Sequence, residues 1–89
     1  MTTHRSHPEI VKRLKRVEGH LRAVIEMLEN NRPCADIAQQ IQAIESAVTK
    51  AKKTLIHDHI DHCLEQIADP SSRATRASVE EFKGISKYL

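Results

Sequence analysis

With 89 residues, 39% of them apolar and only two aromatic (Phe82 and Tyr88), the chain is one small domain with little large side-chain volume to bury. Such a domain leans on metals, disulfides or partner subunits for stability, and it has no room for a deep catalytic cleft of its own. The net charge of +2 hides a segregation: residues 1–33 hold seven basic and four acidic side chains, while residues 54–69 carry Asp58, Asp61, Glu65 and Asp69 with no Lys or Arg, so that one region suits a polyanion and the other a cation.

The first seven residues, Met-Thr-Thr-His-Arg-Ser-His, form a polar arm without the apolar stretch of a signal peptide. A first helix is predicted over residues 8–30, opened by Pro8 and striped by Ile10, Leu14, Val17, Leu21, Val24 and Leu28. Asn30-Asn31-Arg32-Pro33 ends it. The spacing resumes over residues 34–68 with Ile37, Ile41, Ile44, Val48, Ala51, Leu55, His59 and His62, uninterrupted by Gly or Pro. A helix of that length spans about 50 Å, more than the natural width of so small a domain. Asp69-Pro70-Ser71-Ser72 breaks the chain, and Val79, Phe82, Ile85 and Leu89 predict a short third helix over residues 78–88. No strand pattern is present, so the class is all-α, three helices in a single domain over residues 1–89. No apolar run approaches the roughly 20 residues of a membrane span, which points to a cytoplasmic protein without a membrane partner whose two cysteines stay as thiols.

His59 and Cys63 lie four residues apart near the far end of the second helix and therefore share a face, half of a metal site. Cys34 opens the same helix about 37 Å away, too far for one chain to close the site. Two long helices running antiparallel in a two-fold dimer would close it twice, each site taking Cys34 from one subunit and His59 and Cys63 from the other. The crossing then falls near residue 47, where Ala43, Ala47 and Ala51 are small enough for close approach. Thiolate with imidazole suits Cu(I), Zn(II), Ni(II) or Co(II). His4 and His7 in the arm are either solvated or a further ligand that swings onto the ion; His62 lies along the apolar stripe beside the ligands, and His57 with Asp61 reads as a solvated pair. Lys12, Arg13, Lys15 and Arg16 cover several faces of the first helix and, repeated in an oligomer, would neutralise DNA phosphates. An enzyme using Cys63 as nucleophile is disfavoured, since neither an oxyanion hole nor a pocket for a small organic substrate is legible. A structural zinc would instead make folding depend on the ion.

Three stretches, Arg13-Leu14-Lys15-Arg16-Val17-Glu18-Gly19, Cys34 with Gln39-Gln40-Ile41, and His57-Asp58-His59-Ile60-Asp61-His62-Cys63, resemble the CsoR/RcnR family of metal-sensing transcriptional repressors, grouped with the FrmR proteins. The resemblance spans nearly the whole chain. It implies an antiparallel four-helix-bundle dimer assembling into a homotetramer that holds operator double-stranded DNA when metal-free and releases it on binding metal. It implies metal ligation by Cys34, His59 and Cys63, DNA contacts by Arg13, Arg16 and Lys50, and a glutamine, Gln40, beside the metal. Copper-sensing members typically have Tyr before the first cysteine, where this chain has Pro33. Nickel and cobalt sensors recruit an N-terminal histidine, for which His4 and His7 are candidates, so the resemblance favours Ni(II) or Co(II) over Cu(I). Formaldehyde-responsive members generally lack the second cysteine, here Cys63.

Overall fold

The structure, a computed structural model, describes residues 6–68 and 75–89. Three helices carry them: α1 (His7–Glu29), α2 (Cys34–Ala68) and α3 (Thr75–Ser86). α1 and α2 form an antiparallel hairpin. Apolar residues seven apart build its seam, with Ile10, Val17 and Val24 from α1 and Ile37, Ile44 and Ala51 from α2 all buried. Val17, Val24, Ile37 and Ile44 make one cluster, on which Met27 and Ala47 pack. Two polar contacts fix the register: the Ser6 hydroxyl donates to Asp58 Oδ2 at 2.7 Å, and His20 Nε2 meets Gln40 Oε1 at 2.6 Å.

The turn between them is specified by backbone chemistry. Asn31 adopts a left-handed φ of 52°, a conformation asparagine tolerates better than most residues. It lets the Arg32 N–H donate to the Met27 carbonyl and the Asn31 N–H to the Leu28 carbonyl, closing α1 in a Schellman motif. The Pro33 carbonyl then accepts from the Asp36 and Ile37 amides to open α2. Asn31→Ala is expected to destabilise the fold by about 1 kcal/mol, whereas Asn31→Gly leaves it unchanged or stabilises it slightly, measured by thermal melting of the two variants.

α2 runs unbroken for 35 residues, and its far half is covered by α3 instead of α1. Ile56 and Cys63 are buried there, with Val79, Phe82 and Ile85 half-buried on the facing side of α3. α3 starts at Thr75, three residues before the expected position, because Thr75, Arg76 and Ala77 extend the helix without adding to the apolar spacing that marks it. At the other end of the chain His7, expected in the arm, is the first residue of α1, and His4 lies outside the described residues.

One hairpin covers only one side of a two-sided stripe. Leu14, Leu21 and Leu28, which alternate with the buried valines of α1, remain 44%, 46% and 55% exposed, and Ile41, Val48 and Leu55 of α2 remain 47%, 43% and 39% exposed. The expected close approach of two copies at Ala43, Ala47 and Ala51 needs correction at two of the three positions: Ala51 is buried and Ala47 packs on the core cluster within the chain, because both turn toward α1, while Ala43 stays exposed. The large apolar residues left exposed at that level are Ile41, Val48 and Leu55. The chain is also drawn out, with extents of 60 × 23 × 13 Å and a radius of gyration of 18.1 Å, against about 12 Å for a compact domain of this length. Among the described residues no helix is long and apolar enough to cross a membrane.

Candidate metal centre

The i, i+4 spacing on the regular helix α2 brings His59 and Cys63 together, and α3 adds a third group, Glu81. Ligand atoms of His59, Cys63 and Glu81 all lie within 4.8 Å of one another. His59 Nε2 is 3.5 Å from Glu81 Oε2, and the Cys63 thiol donates to the same oxygen at 3.9 Å. Donors around a tetrahedral ion of this class sit roughly 3.3–3.8 Å apart, so a thiol, an imidazole and a carboxylate stand close to a coordination sphere before any ion arrives. Soft sulfur, borderline nitrogen and hard oxygen together fit a divalent transition metal.

The thiol is protonated in this arrangement. Burial pushes Cys63 above its ordinary value of 9.0, and both the Glu81 charge and the hydrogen bond to Glu81 push it the same way. A proton held more tightly by the folded chain than by the unfolded one stabilises the fold below pH 9.0, and this contribution is lost as pH rises through the folded thiol's own midpoint. In a Cys34→Ala background, Glu81→Gln is expected to bring the thiol midpoint, followed by ultraviolet thiolate absorbance, back toward 9.0 without reaching it, since burial is the largest cause. Metal binding must expel this proton.

Cys34, exposed at the opposite end of α2, is not in this group. Because α2 does not bend back, nothing within one chain brings Cys34 to His59 and Cys63. Half-buried His62 also stands outside the His59–Cys63–Glu81 group. Gln40, expected beside the metal, instead bonds to His20, about 28 Å along α2 from His59 in the same chain. The start of α1 behaves differently: the Ser6 hydroxyl bonds to Asp58, so the residue before His7 meets the residue before His59.

The basic residues divide by position. Arg13 is half-buried, Arg16, Lys12, Lys15 and Lys50 are exposed, and Arg13 and Arg16 line a shallow notch between α1 and α2 with Val17, His20 and Ala47. Lys50 stands on α2 at about the height of Arg13, given that Val17 meets Ala47 and Ser6 meets Asp58 across the hairpin.

Residues 6–87 match the family described as "Metal-sensitive transcriptional repressor". The chain belongs to that family, the CsoR repressors. The repressor is 42% identical over 81 residues to the copper-sensing transcriptional repressor CsoR of Bacillus subtilis (strain 168), covering 89% of this chain and 80% of the relative. It is 40% identical over 79 residues to the copper-sensing transcriptional repressor RicR of Mycobacterium tuberculosis (strain ATCC 25618 / H37Rv), covering 88% and 82%. Its fold matches the nickel-responsive transcriptional regulator InrS with a TM-score of 0.81 at 28% identity, over 100% of this chain and 99% of that one. The repressor is therefore an all-α, metal-sensing DNA-binding regulator and not an enzyme.

Proposed function

We propose that the repressor is a Ni(II)/Co(II) sensor whose ion is shared between subunits: Cys34 from one chain, His59 and Cys63 from another, and an arm imidazole from His4 or His7. Ion binding releases operator DNA in the cytoplasm and so derepresses metal efflux or resistance genes. The observation that carries this reading is the exposed stripe on α2. Its centre is Val48, flanked seven residues either side by Ile41 and Leu55. A two-fold axis at Val48 sets Ile41 of one copy against Leu55 of the other. It also sets Cys34, fourteen residues before Val48, against position 62, fourteen after it, between His59 and Cys63. The apolar surface and the ligand positions, two unrelated features, thus ask for the same axis. The stripe of Leu14, Leu21 and Leu28 supplies the flanking helices of a four-helix dimer, two of which would assemble into a tetramer.

Glu81 as a hard oxygen donor beside the thiol, and the Ser6–Asp58 bond that ties the start of α1 to the residue before His59, support a divalent ion. InrS, a relative of the same fold, is nickel-responsive. A Cu(I)-sensing reading, with Cys34, His59 and Cys63 alone as ligands, is favoured by the copper-sensing relatives at 42% and 40% identity. Zn(II) and formaldehyde are further comparators. Within the chain, Cys63 yields its proton, and Glu81 loses the bond it accepts from the thiol, so that α3 is repositioned on α2. Arg13, Arg16, Lys50, Lys12 and Lys15 would meet operator phosphates.

Side-by-side titrations of an operator complex with Ni(II), Co(II), Cu(I), Zn(II) and formaldehyde test the reading. Ni(II) or Co(II) is expected to weaken operator binding about 5–150-fold, the usual range of coupling between two sites. Weakening by Cu(I) alone would install the copper reading instead.

A further inference from the structure

A second notch opens on α2 where α3 ends. Lys52 and Lys53 stand beside buried Ile56, and with His57, Tyr88 and Leu89 they line a space of about 240 Å³. The last turn of α3 runs on past Ser86: the Tyr88 amide donates to the Ile85 carbonyl at 3.0 Å and the Leu89 amide to the Ser86 carbonyl at 3.2 Å, so Lys87 and Tyr88 are held to the helix. Lys87 Nζ lies 5.2 Å from the centre of the Tyr88 ring, a cation–π contact that keeps a third ammonium at this end of α3. No Asp or Glu side chain lines the notch. Asp58 of α2 accepts from Ser6, and Glu80 and Glu81 of α3 turn to Lys83 and to His59. Lys52, Lys53, Lys87 and Tyr88 are all exposed.

This patch continues the basic surface of α1 around the rod. Ala47 borders the notch of Arg13 and Arg16, and Lys53 borders the notch at the end of α3. At about 100° per residue, Ala47, Lys50 and Lys53 follow one another in steps of about 60° on the side of α2 away from Val48. The hairpin register, with Ser6 at Asp58 and Val17 at Ala47, sets Lys12 level with Lys52. Cations of all three helices therefore stand at one height, on the side opposite the apolar stripe. We propose that the end of α3, Lys87 and Tyr88 with Lys52 and Lys53 beside them, is a further contact for operator phosphates, and that α3 links it to the metal site. The lysines would release counterions there, and the Tyr88 hydroxyl can donate to a phosphate oxygen. An apolar partner surface fits the notch less well, since closing over it would strip water from three ammonium groups without pairing them. Glu81 and Lys87 are six residues apart, about 9 Å along one rigid helix, so a shift of α3 that starts at Glu81 moves Lys87 off the DNA. The inference rests on the reading of the chain as a repressor released by metal, and adds to it residues of α2 and α3 that the α1 contacts and Lys50 do not include.

Three measurements on the full chain test it. In the first, the salt dependence of operator binding by the metal-free protein is compared for the wild type, Lys53→Gln, Lys87→Gln and, as a control at the far end of the rod, Arg32→Gln. Each lysine variant is expected to make the log–log slope shallower by about 0.9 for every copy of that lysine on the DNA, and Arg32→Gln should leave it unchanged. Wild-type slopes in both lysine variants overturn the contact. In the second, fluorotyrosine is incorporated; Tyr88 is the only tyrosine, so one fluorine resonance reports the end of α3. It is expected to shift when the metal-free protein binds operator, and an unmoved resonance overturns the placement of Tyr88 on DNA. In the third, operator affinity is measured without metal and with saturating Ni(II), or Cu(I) if that ion alone proves effective. Lys87→Gln is expected to shrink the ratio of the two affinities at least threefold, because the metal then has one contact fewer to remove; an equal loss in both states overturns the link through α3. Sedimentation of the same variants should give the wild-type mass. A fall in mass makes the notch an interface between subunits and overturns its assignment to DNA. A wild-type chain that binds no operator refutes the proposed function and this inference together, whereas wild-type slopes in the lysine variants refute the inference alone.

Discussion

An equimolar mixture of Cys34→Ala and Cys63→Ala chains is expected to recover about a quarter of the wild-type high-affinity metal sites, although each variant alone has none. The arithmetic follows from sharing. If subunits mix at random, half of the dimers pair one variant with the other. In such a dimer one site combines both lost thiols and is dead, while the second takes Cys34 from the Cys63→Ala chain and His59 with Cys63 from the Cys34→Ala chain, and is intact. A site closed within one chain gives a different result, since every chain in the mixture then lacks a ligand and no recovery occurs. The measurement is metal stoichiometry by competition with a chelator after the mixed chains are unfolded and refolded together. Both variants should still bind operator DNA, because neither cysteine is near Arg13 or Arg16 in the chain: Cys63 is buried under α3, and Cys34 opens α2 beyond the core cluster. Loss of DNA binding in either one would contradict the separation of the two sites.

Helix positions were legible because their signals are local and redundant. Pro8, the Asn30-Asn31-Arg32-Pro33 turn and the seven-residue recurrence of large aliphatics each point to the same hairpin. What the spacing could not resolve is which half of each stripe faces inward. Ile10, Val17 and Val24 have the same spacing and much the same hydrophobicity as Leu14, Leu21 and Leu28, yet only the first set is buried. The choice is set by how α1 rolls on α2, a tertiary property, and it moved the expected inter-subunit contact from alanines to Ile41, Val48 and Leu55.

Glu81 escaped notice for a related reason. It lies 18 residues beyond Cys63, across a proline-containing break, and beside Glu80 it reads as the solvated side of a short helix. A signal was present: Glu81 sits three residues after Ser78 and next to Phe82, on the flank of the face that α3 lays on α2. Placing the cation-suited region of α2 under that flank would have put an acidic side chain at the ligands. The Ser6–Asp58 and His20–Gln40 bonds have no such signature, since polar residues far apart in sequence pair only once the register of the hairpin is known.

Val48→Glu is expected to convert the assembly to monomers and to remove the high-affinity metal site without unfolding the hairpin. In the single chain Val48 is 43% exposed and outside the core cluster, so a glutamate there changes the stability of an isolated chain by only about 0.5 kcal/mol. At a two-fold axis the same residue meets its own copy. Two carboxylates would be brought together out of water with no cation between them, a penalty of several kcal/mol per dimer and hence a loss of a thousandfold or more in association. Sedimentation at micromolar concentration reads the mass, and circular dichroism of the same samples reads the helix content. Without its partner each chain retains His59, Cys63 and Glu81 but no Cys34 within reach, so metal affinity should fall together with association and return in proportion as protein concentration is raised. Glu45→Gln, on the exposed surface of the same helix one turn away, serves as the charge control and should change neither. A Val48→Glu protein that stays dimeric with full metal affinity would move the axis off Val48, and the coincidence between apolar stripe and ligand register would lose its meaning.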